Sequence, residues 1–449
     1  MRAVKKKKKV ASTALQRPSS FDQAVKHHRY SLGHIFLFVS LILRAAASFR
    51  CASTSIKIML SMLGLSVSYP SWFSGRLWLL RLGYYKLMRE KEKASDWVWI
   101  VDHSIQLGNQ KCFVILGVRL SSLPERPLGH EDVEPLALFP TEKSNGDIVY
   151  AQLEETIEKT GVPREIVGDH GSDLRAGVEK FCQAHPETSS IHDIKHKTAL
   201  LLKHELKEDE DWQRFIGMVA QTKQHLQQTK LAALVGPKQR TKARYMNLGP
   251  LIDWAMKLLN FLDRGCPGFD AFEVEKKLGW IRSFRDKLLH WADLHDLVTK
   301  TEAFVRERGL YRGCHLDYQK AYRFSDCSEG VKRLYQELVI FLATASLQAK
   351  EGERLLGSSE VLESVFGKLK NLEGAQSKSG FTGLVLSIAA MVSKTTVWVV
   401  KAALEEVSTE AVRRWCREKL GQSVQSTRRR ALVLPDKSEQ KQDQLKRAA

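Results

Sequence analysis

Apolar residues between Asp96 and Ile194 come in short continuous runs separated by turn residues, which is the pattern of buried strands. The predicted strands are Trp97–Val101, Gln110–Leu120, Leu136–Pro140, Glu165–Gly168 and Ser189–Ile194. Two stretches between them have apolar residues three and four apart and predict helices: Asp147–Thr160 and Gly171–Ala184. Gly108-Asn109, between the first two strands, predicts a hairpin turn. The order predicts a mixed sheet that begins with an antiparallel hairpin and is flanked by helices.

The chain from Lys195 to about Gly352 has the apolar spacing of helices and no convincing strand. The predicted helices are Trp212–Gln228, Leu251–Leu262, Phe272–Leu289, Ala292–Arg308 and Val331–Ala349. This region contains four tryptophans, which are Trp212, Trp254, Trp280 and Trp291. Packing between helices is the favoured role for all four, and stacking of one of them on a flipped-out base is the alternative.

The region from Tyr30 to about Arg89 is helical and basic. Leu43 to Gly64 predicts one or two helices broken near Cys51 to Ser55, and a turn leads to a second helix over Ser71 to Leu87. Arg76 and Arg81 lie among the leucines of this second helix. The pattern fits a DNA-binding helix-turn-helix or an ordinary amphipathic helix pair.

These patterns divide the chain into six parts. They are a disordered basic arm (1–29), a helical, helix-turn-helix-like DNA-binding domain (30–92), the first part of the α/β core (93–196), an all-helical insertion (197–352), the second part of the core with closing helices (353–422) and a disordered basic tail (423–449). The apolar stretches His34 to Leu43 and Phe381 to Val400 are interpreted as buried helices, because one is too short to span a bilayer and the other is interrupted by polar residues.

The charge balance points to a polyanionic partner. Seventy Lys and Arg stand against 51 Asp and Glu, a net charge of +19, while 43% hydrophobic and 27% charged residues are typical of a globular protein. The seven cysteines are scattered, odd in number and without a C-x-x-C pair, which argues against a zinc finger or a disulfide framework and favours a reducing compartment. We expect a nucleic-acid-binding protein in the cytoplasm that does not contact the membrane.

Acidic residues follow two of the predicted strands. Asp102 ends the first strand and Asp169 ends the fourth, and neighbouring parallel strands lie about 4.8 Å apart, so both carboxylates could reach one pair of metal ions. Glu363, on a predicted helix over Glu360 to Leu372, would supply a third ligand. Glu360 competes with Glu363, and Asp173 competes with Asp169.

Asp193 ends the last strand and is followed by His196 and Lys197. It is predicted to support the site, to contact DNA, or to cap the core.

Three segments around these acids resemble the motifs of the DDE transposases, which have a ribonuclease H-like core. They are Val-Trp-Ile-Val-Asp102-His-Ser, Ile-Val-Gly-Asp169-His-Gly-Ser-Asp and Ser-Glu-Val-Leu-Glu363-Ser-Val-Phe-Gly-Lys-Leu-Lys370. In transposases of bacterial insertion sequences, the third motif has Tyr, two residues, Arg, three residues, Glu, six residues and Lys. Glu363 and Lys370 keep the last spacing, while Leu356 and Ser359 stand at the positions of the Tyr and the Arg.

The resemblance implies a DNA transposase with a ribonuclease H-like α/β core and a large all-α insertion. Asp102, Asp169 and Glu363 would be both the catalytic residues and the ligands of two Mg²⁺ or Mn²⁺ ions in each active site. The reaction would cleave the transposon ends and join the freed 3′-hydroxyl to target DNA. The partners would be double-stranded DNA with terminal inverted repeats, target DNA and further copies of the chain, as a dimer or larger assembly on DNA in a bacterial nucleoid.

The DNA contacts expected on these grounds are basic. They are Lys370, Lys368, His196, Lys197, Arg76, Arg81, Lys238 and Arg240. Two alternatives remain, a catalytically silent DNA-binding protein derived from a transposase and a nuclease of ribonuclease H-like fold that joins no strands.

Overall fold

The computed structural model describes residues 23–66, 68–105, 111–238, 245, 248–322, 327–374, 382–422, 428 and 431–432. Several expectations concern residues outside these ranges. They are most of the basic arm, the turn at Gly108-Asn109, Arg240 with most of the basic loop that follows Lys238, and most of the basic tail. Among the described residues, no helix is long and apolar enough to cross a membrane.

Five strands form one sheet in the order β3-β2-β1-β4-β5. The strands are β1 (Trp97–Ile105), β2 (Lys111–Arg119), β3 (Glu134–Thr141), β4 (Glu165–Gly168) and β5 (Ser189–His192). β2 is antiparallel to both β1 and β3, whereas β4 is parallel to β1 and β5 is parallel to β4. Helices α4 (Gly146–Thr160) and α5 (Ser172–Ala184) connect β3 to β4 and β4 to β5. This order confirms the predicted mixed sheet with an antiparallel hairpin at its start.

Both faces of the sheet are covered, which explains the continuous apolar runs in the sequence. Trp97, Trp99 and Val101 of β1 pack in one hydrophobic cluster with residues of α4 and α5. Val98 and Ile100 point to the opposite face and belong to a larger cluster that includes the helices near both ends of the described chain. Because side chains alternate along a strand, Asp102 continues the row of Val98 and Ile100 and points to this second face.

The second face is covered by helices that are distant in sequence. Three come from the N-terminal region: α1 (Leu32–Leu43), α2 (Phe49–Met62) and α3 (Trp72–Met88). Four come from the C-terminal region: α13 (Glu360–Gly374), α14 (Leu386–Met391), α15 (Val397–Glu406) and α16 (Thr409–Leu420). Most of the described apolar residues in the stretches His34 to Leu43 and Phe381 to Val400 pack in or against this cluster, although Trp398 is 57% exposed. The predicted break near Cys51 to Ser55 is wrong, because α2 runs through these residues and the chain turns earlier, between α1 and α2.

Helix α3 is buried along most of its length. Trp78, Leu79, Leu80, Leu82 and Leu87 are buried, and the helix packs against α14, α15 and β3. A recognition helix needs an exposed face that can enter the major groove. The described packing leaves little of α3 exposed, and both the helix-turn-helix role and the alternative of an ordinary amphipathic helix pair stay predictions.

The described part of the region 197–352 consists of helices and connecting segments, and Leu310 forms an isolated bridge with Leu355 just after the region. Its main helices are α6 (Ile194–Lys207), α7 (Glu210–Leu226), α8 (Gly249–Asp263), α9 (Ala271–Leu278), α10 (Arg285–Arg308), α11 (Cys314–Ala321) and α12 (Glu329–Ser346). Most of them share a hydrophobic cluster of their own. The end of α10, α11 and the end of α12 join the larger cluster on the sheet instead.

Two of the four tryptophans of this region are fully buried, and the other two are half-buried. Trp212 and Trp291 lie 0% and 1% exposed and meet edge to face. Trp254 donates its indole N–H to the carbonyl of Leu234, and Trp280 donates to the hydroxyl of Thr222. All four rings thus take part in packing between elements, as the favoured interpretation expected.

Candidate metal centre at the edge of the sheet

Three acids lie side by side at the carboxyl edge of β1, β4 and β5. In the register of the sheet, Val101 is opposite Gly168 and Gly168 is opposite His192, so the next position on each strand is Asp102, Asp169 and Asp193. β4 and β5 end one residue before this row, at Gly168 and His192, but β1 continues to Ile105 in its pairing with β2. Asp102 therefore lies inside its strand and not at its end as predicted. It reaches the open edge because its neighbour β4 stops one residue earlier.

Gly168 allows the two strands to approach at this point. A Cβ atom at residue 168 would lie 2.7 Å from the carbonyl oxygen of Val101 and 2.9 Å from its side chain. Any larger residue would push β4 away from β1 directly before the two acids. The motif Ile-Val-Gly-Asp169 thus has a packing reason for its glycine.

Glu363 comes to this edge on α13, in the first turn of the helix. Leu362, Val365 and Phe366 of α13 are buried in the cluster that covers the second face of the sheet, the face to which Asp102 points. Glu363 lies between these apolar positions with its side chain 27% exposed. Its neighbour Glu360, one turn earlier, forms an ion pair with Arg306 of α10 at 3.0 Å. The two competing glutamates therefore face different surroundings, and Glu363 is the one near the sheet edge.

The three predicted site acids are close enough to affect one another electrostatically. Burial raises the pKa of the Asp102 carboxyl, the charges of Asp169 and Glu363 raise it further, and the result is a pKa of about 7. The His103 backbone N–H, at 2.6 Å from Asp102 Oδ1, and the charge of His196 act in the opposite direction. Carboxylates that repel one another in a partly buried site provide the environment that a divalent cation would relieve.

Two cationic side chains from the first turn of α6 face this group. Lys195 Nζ lies 2.8 Å from Glu363 Oε2. His196 Nδ1 lies 2.9 Å from Asp193 Oδ1 and 4.0 Å from Glu363 Oε1. Burial lowers the pKa of His196, but the hydrogen bond and charge of Asp193, with the charges of Asp169 and Glu363, outweigh this and raise the pKa to about 9. The edge therefore combines four acids with two cations.

Asp173 is held in a separate group on the other side of Asp169. It forms an ion pair with Lys111 at 3.3 Å. Burial raises its pKa, but hydrogen bonds from Ser144 and Lys111 and the charges of His103 and Lys111 outweigh the burial, so that the pKa falls to about 2.

The donor set fits a divalent cation. Glu363 Oε1 is buried and accepts no hydrogen bond from the described residues, with His196 Nδ1 4.0 Å away, so this oxygen could accept a further ligand. Asp193, His196 and Glu363 have ligand atoms within 4.8 Å of one another. Asp193, however, has both of its oxygens engaged with His196 and Ser359. Asp102 and Asp169 do not belong to a group of described residues with ligand atoms this close together, so Asp102, Asp169 and Glu363 as the ligand set stay a prediction.

The residues predicted to contact DNA fall into different surroundings. Lys370 is exposed on α13 and Lys238 is exposed at the end of its segment. Lys368 lies 2.9 Å from the ring of His130, and Lys197 lies over the ring of Phe341. Their contacts with DNA, like those of His196, stay predictions.

The arginines of α3 are turned towards the fold. Arg76 is half-buried, and burial lowers its pKa. Arg81 donates from Nε to the carbonyl of Val407 at 2.6 Å, from a terminal nitrogen to the carbonyl of Leu404, and faces His28 with the other. Arg81 is thus occupied in capping the end of α15.

Two residues beside the site have roles that the sequence does not indicate. Lys195 pairs with Glu363, but a lysine after a predicted strand has no distinguishing pattern in the sequence. Ser359 stands at the position where the insertion-sequence motif has Arg, and it donates two hydrogen bonds to Asp193. Only the folded chain brings these pairs together, since 168 and 166 residues separate their members.

Comparison with known proteins leaves the family of the chain open. No protein-family model and no curated protein matches it. Among solved structures, the Drosophila P element transposase strand transfer complex aligns with 93% of this chain and 88% of the other, at 10% identity and a TM-score of 0.33. A TM-score of this size is too low to establish a common fold.

Proposed function

We propose that the chain is a DNA transposase whose ribonuclease H-like core holds two divalent metal ions between Asp102, Asp169 and Glu363. The observation that supports the proposal is that Asp169 and Glu363, from separate motifs, lie close enough to Asp102 for their charges to raise its pKa. Two of the three acids belong to adjacent parallel strands, and the third comes from a helix packed on the same face. The sheet order, with a hairpin followed by two parallel strands, is compatible with a ribonuclease H-like core.

The site suits phosphodiester chemistry. Two divalent ions would activate the attacking oxygen and stabilise the leaving one. The protein would supply three converging carboxylates on rigid elements to hold them. Lys195 and His196 place positive charge beside Glu363 and Asp193, in reach of a phosphate group that enters the same edge. Hydrolysis at the element's end and attack of the new 3′-hydroxyl on target DNA would use the same three acids.

The charge of the chain supports DNA as the substrate. A net charge of +19 favours a polyanion, and Lys370 is exposed two turns after Glu363 on the same helix. Lys370 would grip a phosphate beside the metal centre.

The helical insertion also contacts the elements around the site. Arg306 of α10 pairs with Glu360 of α13, and Glu302 of α10 accepts a hydrogen bond from Thr198 of α6.

An end-cleavage assay with Mg²⁺ or Mn²⁺ tests the proposal, with DNA carrying the inverted repeats that flank the coding sequence. We expect Asp102→Ala to abolish cleavage while the protein still binds the ends, because the substitution removes a metal ligand and leaves the basic surface intact. Glu363→Ala should have the same effect. Glu360→Ala is the matched control on the same helix and should still cleave.

Cleavage by Asp102→Ala would overturn the proposed site. If Glu360→Ala lost cleavage and Glu363→Ala kept it, the third ligand would be Glu360 and not Glu363. A wild-type protein that binds the ends and never cleaves would be a silent DNA-binding protein. A strand-transfer assay with pre-cleaved ends distinguishes a transposase from a nuclease of ribonuclease H-like fold, because a nuclease hydrolyses DNA but joins no 3′-end to a target.

A further inference from the structure

Asp193 is a buried carboxylate with every oxygen engaged. Its side chain is 1% exposed. Oδ1 accepts hydrogen bonds from the backbone N–H of His196 and faces the His196 ring nitrogen, both at 2.9 Å. Oδ2 accepts from the backbone N–H of Ser359 at 2.6 Å and from the Ser359 hydroxyl at 3.0 Å. A buried charge is tolerated only with such complete pairing, so this carboxylate is fixed in place.

The contact with Ser359 sets the start of α13. Ser359 is the residue before the helix, and both of its donors go to Asp193. Glu363 follows four residues later, about one turn along the helix and on the same side. A shift at Ser359 is therefore passed to the carboxylate of Glu363 by the rigid first turn.

The segment before α13 is tied to the sheet at four successive points, and Asp193 is the last. Arg164 pairs with Glu353 at 2.7 Å, and Glu165 Oε2 accepts from the N–H of Leu356 at 3.0 Å. The N–H of Ile194 donates to the carbonyl of Gly357 at 3.0 Å. Asp193 then holds Ser359, so it is the tie nearest to Glu363.

The contact with His196 sets the other side of the same site. Asp193 caps the first turn of α6, which carries both Lys195 and His196. Lys195 Nζ lies 2.8 Å from Glu363 Oε2, and His196 Nδ1 lies 4.0 Å from Glu363 Oε1. One carboxylate thus orients the helix that supplies the third acid and the helix that supplies its two cationic neighbours.

We propose that Asp193 is a positioning residue of the metal centre, which fixes Glu363 through Ser359 and α13 and fixes Lys195 and His196 through α6. The inference rests on the proposed function. Asp193 itself is no ligand, because its oxygens are used by the protein. Partners of this kind orient metal ligands, and their loss typically weakens metal affinity or activity by about 10- to 100-fold.

Asp193→Asn is the direct test, because it keeps the size of the side chain and removes acceptors. The amide nitrogen would face a backbone N–H in either orientation, that of Ser359 or that of His196, so one of these two hydrogen bonds must break. Ser359→Ala removes only the hydroxyl contact and should give a smaller effect in the same direction. If Asp193→Asn does not fold, Ser359→Ala still tests the positioning role.

Asp209→Asn is the matched control. Asp209 also caps a helix, with its Oδ1 accepting from the N–H of Trp212 at 3.1 Å, and its Oδ2 accepts from the indole N–H of Trp291 at 3.3 Å. Asp209 thus caps a helix and accepts a second hydrogen bond within the insertion, as Asp193 does beside the site, but no hydrogen bond or ion pair of the described residues joins Asp209 to α13. Asp102→Ala serves as the variant that lacks a proposed ligand.

The measurements are Mn²⁺ binding to the full-length protein by electron paramagnetic resonance, followed by DNA affinity and the cleavage rate. We expect Asp193→Asn to bind Mn²⁺ at least about tenfold more weakly than wild type. The rate of cleavage at saturating metal should fall, while DNA affinity stays the same. Asp209→Asn should match wild type in all three measurements even where its stability falls.

Equal Mn²⁺ affinity in wild type, Asp193→Asn and Ser359→Ala would overturn the positioning role and leave the proposed metal centre standing. Equal losses in Asp193→Asn and Asp209→Asn would also overturn it, because a general effect on folding would explain both. Wild type and Asp102→Ala with the same Mn²⁺ binding would overturn the metal centre itself.

Discussion

The carboxyl edge of the sheet holds more negative than positive charge when its groups have their usual charges. Asp102, Asp169, Asp193 and Glu363 face Lys195 and His196. The edge reduces this imbalance in two ways, since the pKa of Asp102 rises to about 7 and that of His196 rises to about 9. Both shifts bring protons into the site near neutral pH. Divalent cations that bind the three proposed ligands would take the place of this added positive charge.

The raised pKa of His196 makes stability depend on pH. Its pKa is about 9 in the folded chain and about 6.5 when unfolded, so its stabilising effect is complete below pH 6.5 and is lost as pH rises through 9. In metal-free buffer, we expect His196→Gln to remove up to about 3 kcal/mol of stability at pH 6 and much less at pH 9.5. Urea unfolding at both pH values measures the difference.

The contrast between the two pH values is the decisive quantity for His196. A loss of stability that is equal at pH 6 and pH 9.5 would mean that the ring is held only by packing. His204, in the last turn of the same helix, offers the control His204→Gln, because its side chain is exposed. That variant should change stability little at either pH.

At the scale of elements, the contact between α3 and α14 joins the two ends of the described chain. Gly83 lies against the backbone of Leu386, and Lys86 lies fully buried at the end of α14. Lys86 Nζ donates to the carbonyls of Ala390, Val392 and Ser393 and to the hydroxyl of Thr395. The ammonium group thus satisfies carbonyls that the short helix leaves without partners.

Lys86→Met should destabilise the fold, because it leaves several buried carbonyls without a donor. We expect a loss of about 2–4 kcal/mol in the free energy of unfolding, measured with urea. Lys257→Met is the control, since Lys257 is exposed on α8, and it should change stability by less than about 0.5 kcal/mol. A Lys86→Met protein as stable as wild type would show that other donors or water replace the ammonium group.

Gly83→Ala should also destabilise this contact. A Cβ atom at residue 83 would overlap the carbonyl oxygen of Leu386 and lie 2.8 Å from its carbonyl carbon, so the two helices would have to separate. We expect a loss of about 1–3 kcal/mol in thermal or urea unfolding. Gly217→Ala, in a helix with open space around residue 217, should instead stabilise by up to about 1 kcal/mol. Stabilisation by both substitutions would contradict the close approach.

At the scale of the whole molecule, one hydrophobic cluster connects the N-terminal helices, the sheet and the closing helices. A second cluster lies in the helical region between α6 and α12. The two regions meet at the candidate site, where α10 of the second region contacts α6 and α13. The site therefore depends on parts of the chain that are far apart in sequence. The excess positive charge lies outside the first part of the core, since residues 93–196 contain 10 Lys and Arg against 17 Asp and Glu.

The net charge predicts DNA binding that weakens steeply with salt. Each phosphate contact contributes about 0.9 to the slope of the logarithm of affinity against the logarithm of salt concentration. Lys370→Ala should lower that slope by about 0.9 in a fluorescence titration if Lys370 grips a phosphate. Lys370→Arg keeps the charge and should keep the slope. Equal slopes in wild type and Lys370→Ala would remove Lys370 from the DNA surface.

Local pattern was enough to predict most of the elements. The order of strands and helices from Trp97 to His192 was predicted correctly, because short apolar runs and three-to-four spacing are set by neighbouring residues. The helical character of the region after Lys195 followed from the same spacing. The grouping of Asp102, Asp169 and Glu363 came from motif resemblance, and their roles remain a proposal.

Long-range packing decided what the pattern left open or predicted wrongly. Helix α3 has basic residues among leucines, but whether that pattern faces DNA or a core depends on α14 and α15, about 300 residues later. The sequence predicts Asp102 at the end of the first strand, yet β1 continues to Ile105. Asp102 reaches the carboxyl edge of the sheet because the neighbouring strand β4 ends at Gly168. The sequence by itself determined the elements and the acids, through local spacing and composition. The tertiary structure alone decided that Asp193 ties Ser359 to His196, because a hydrogen-bond network across 166 residues leaves no periodic trace in a sequence.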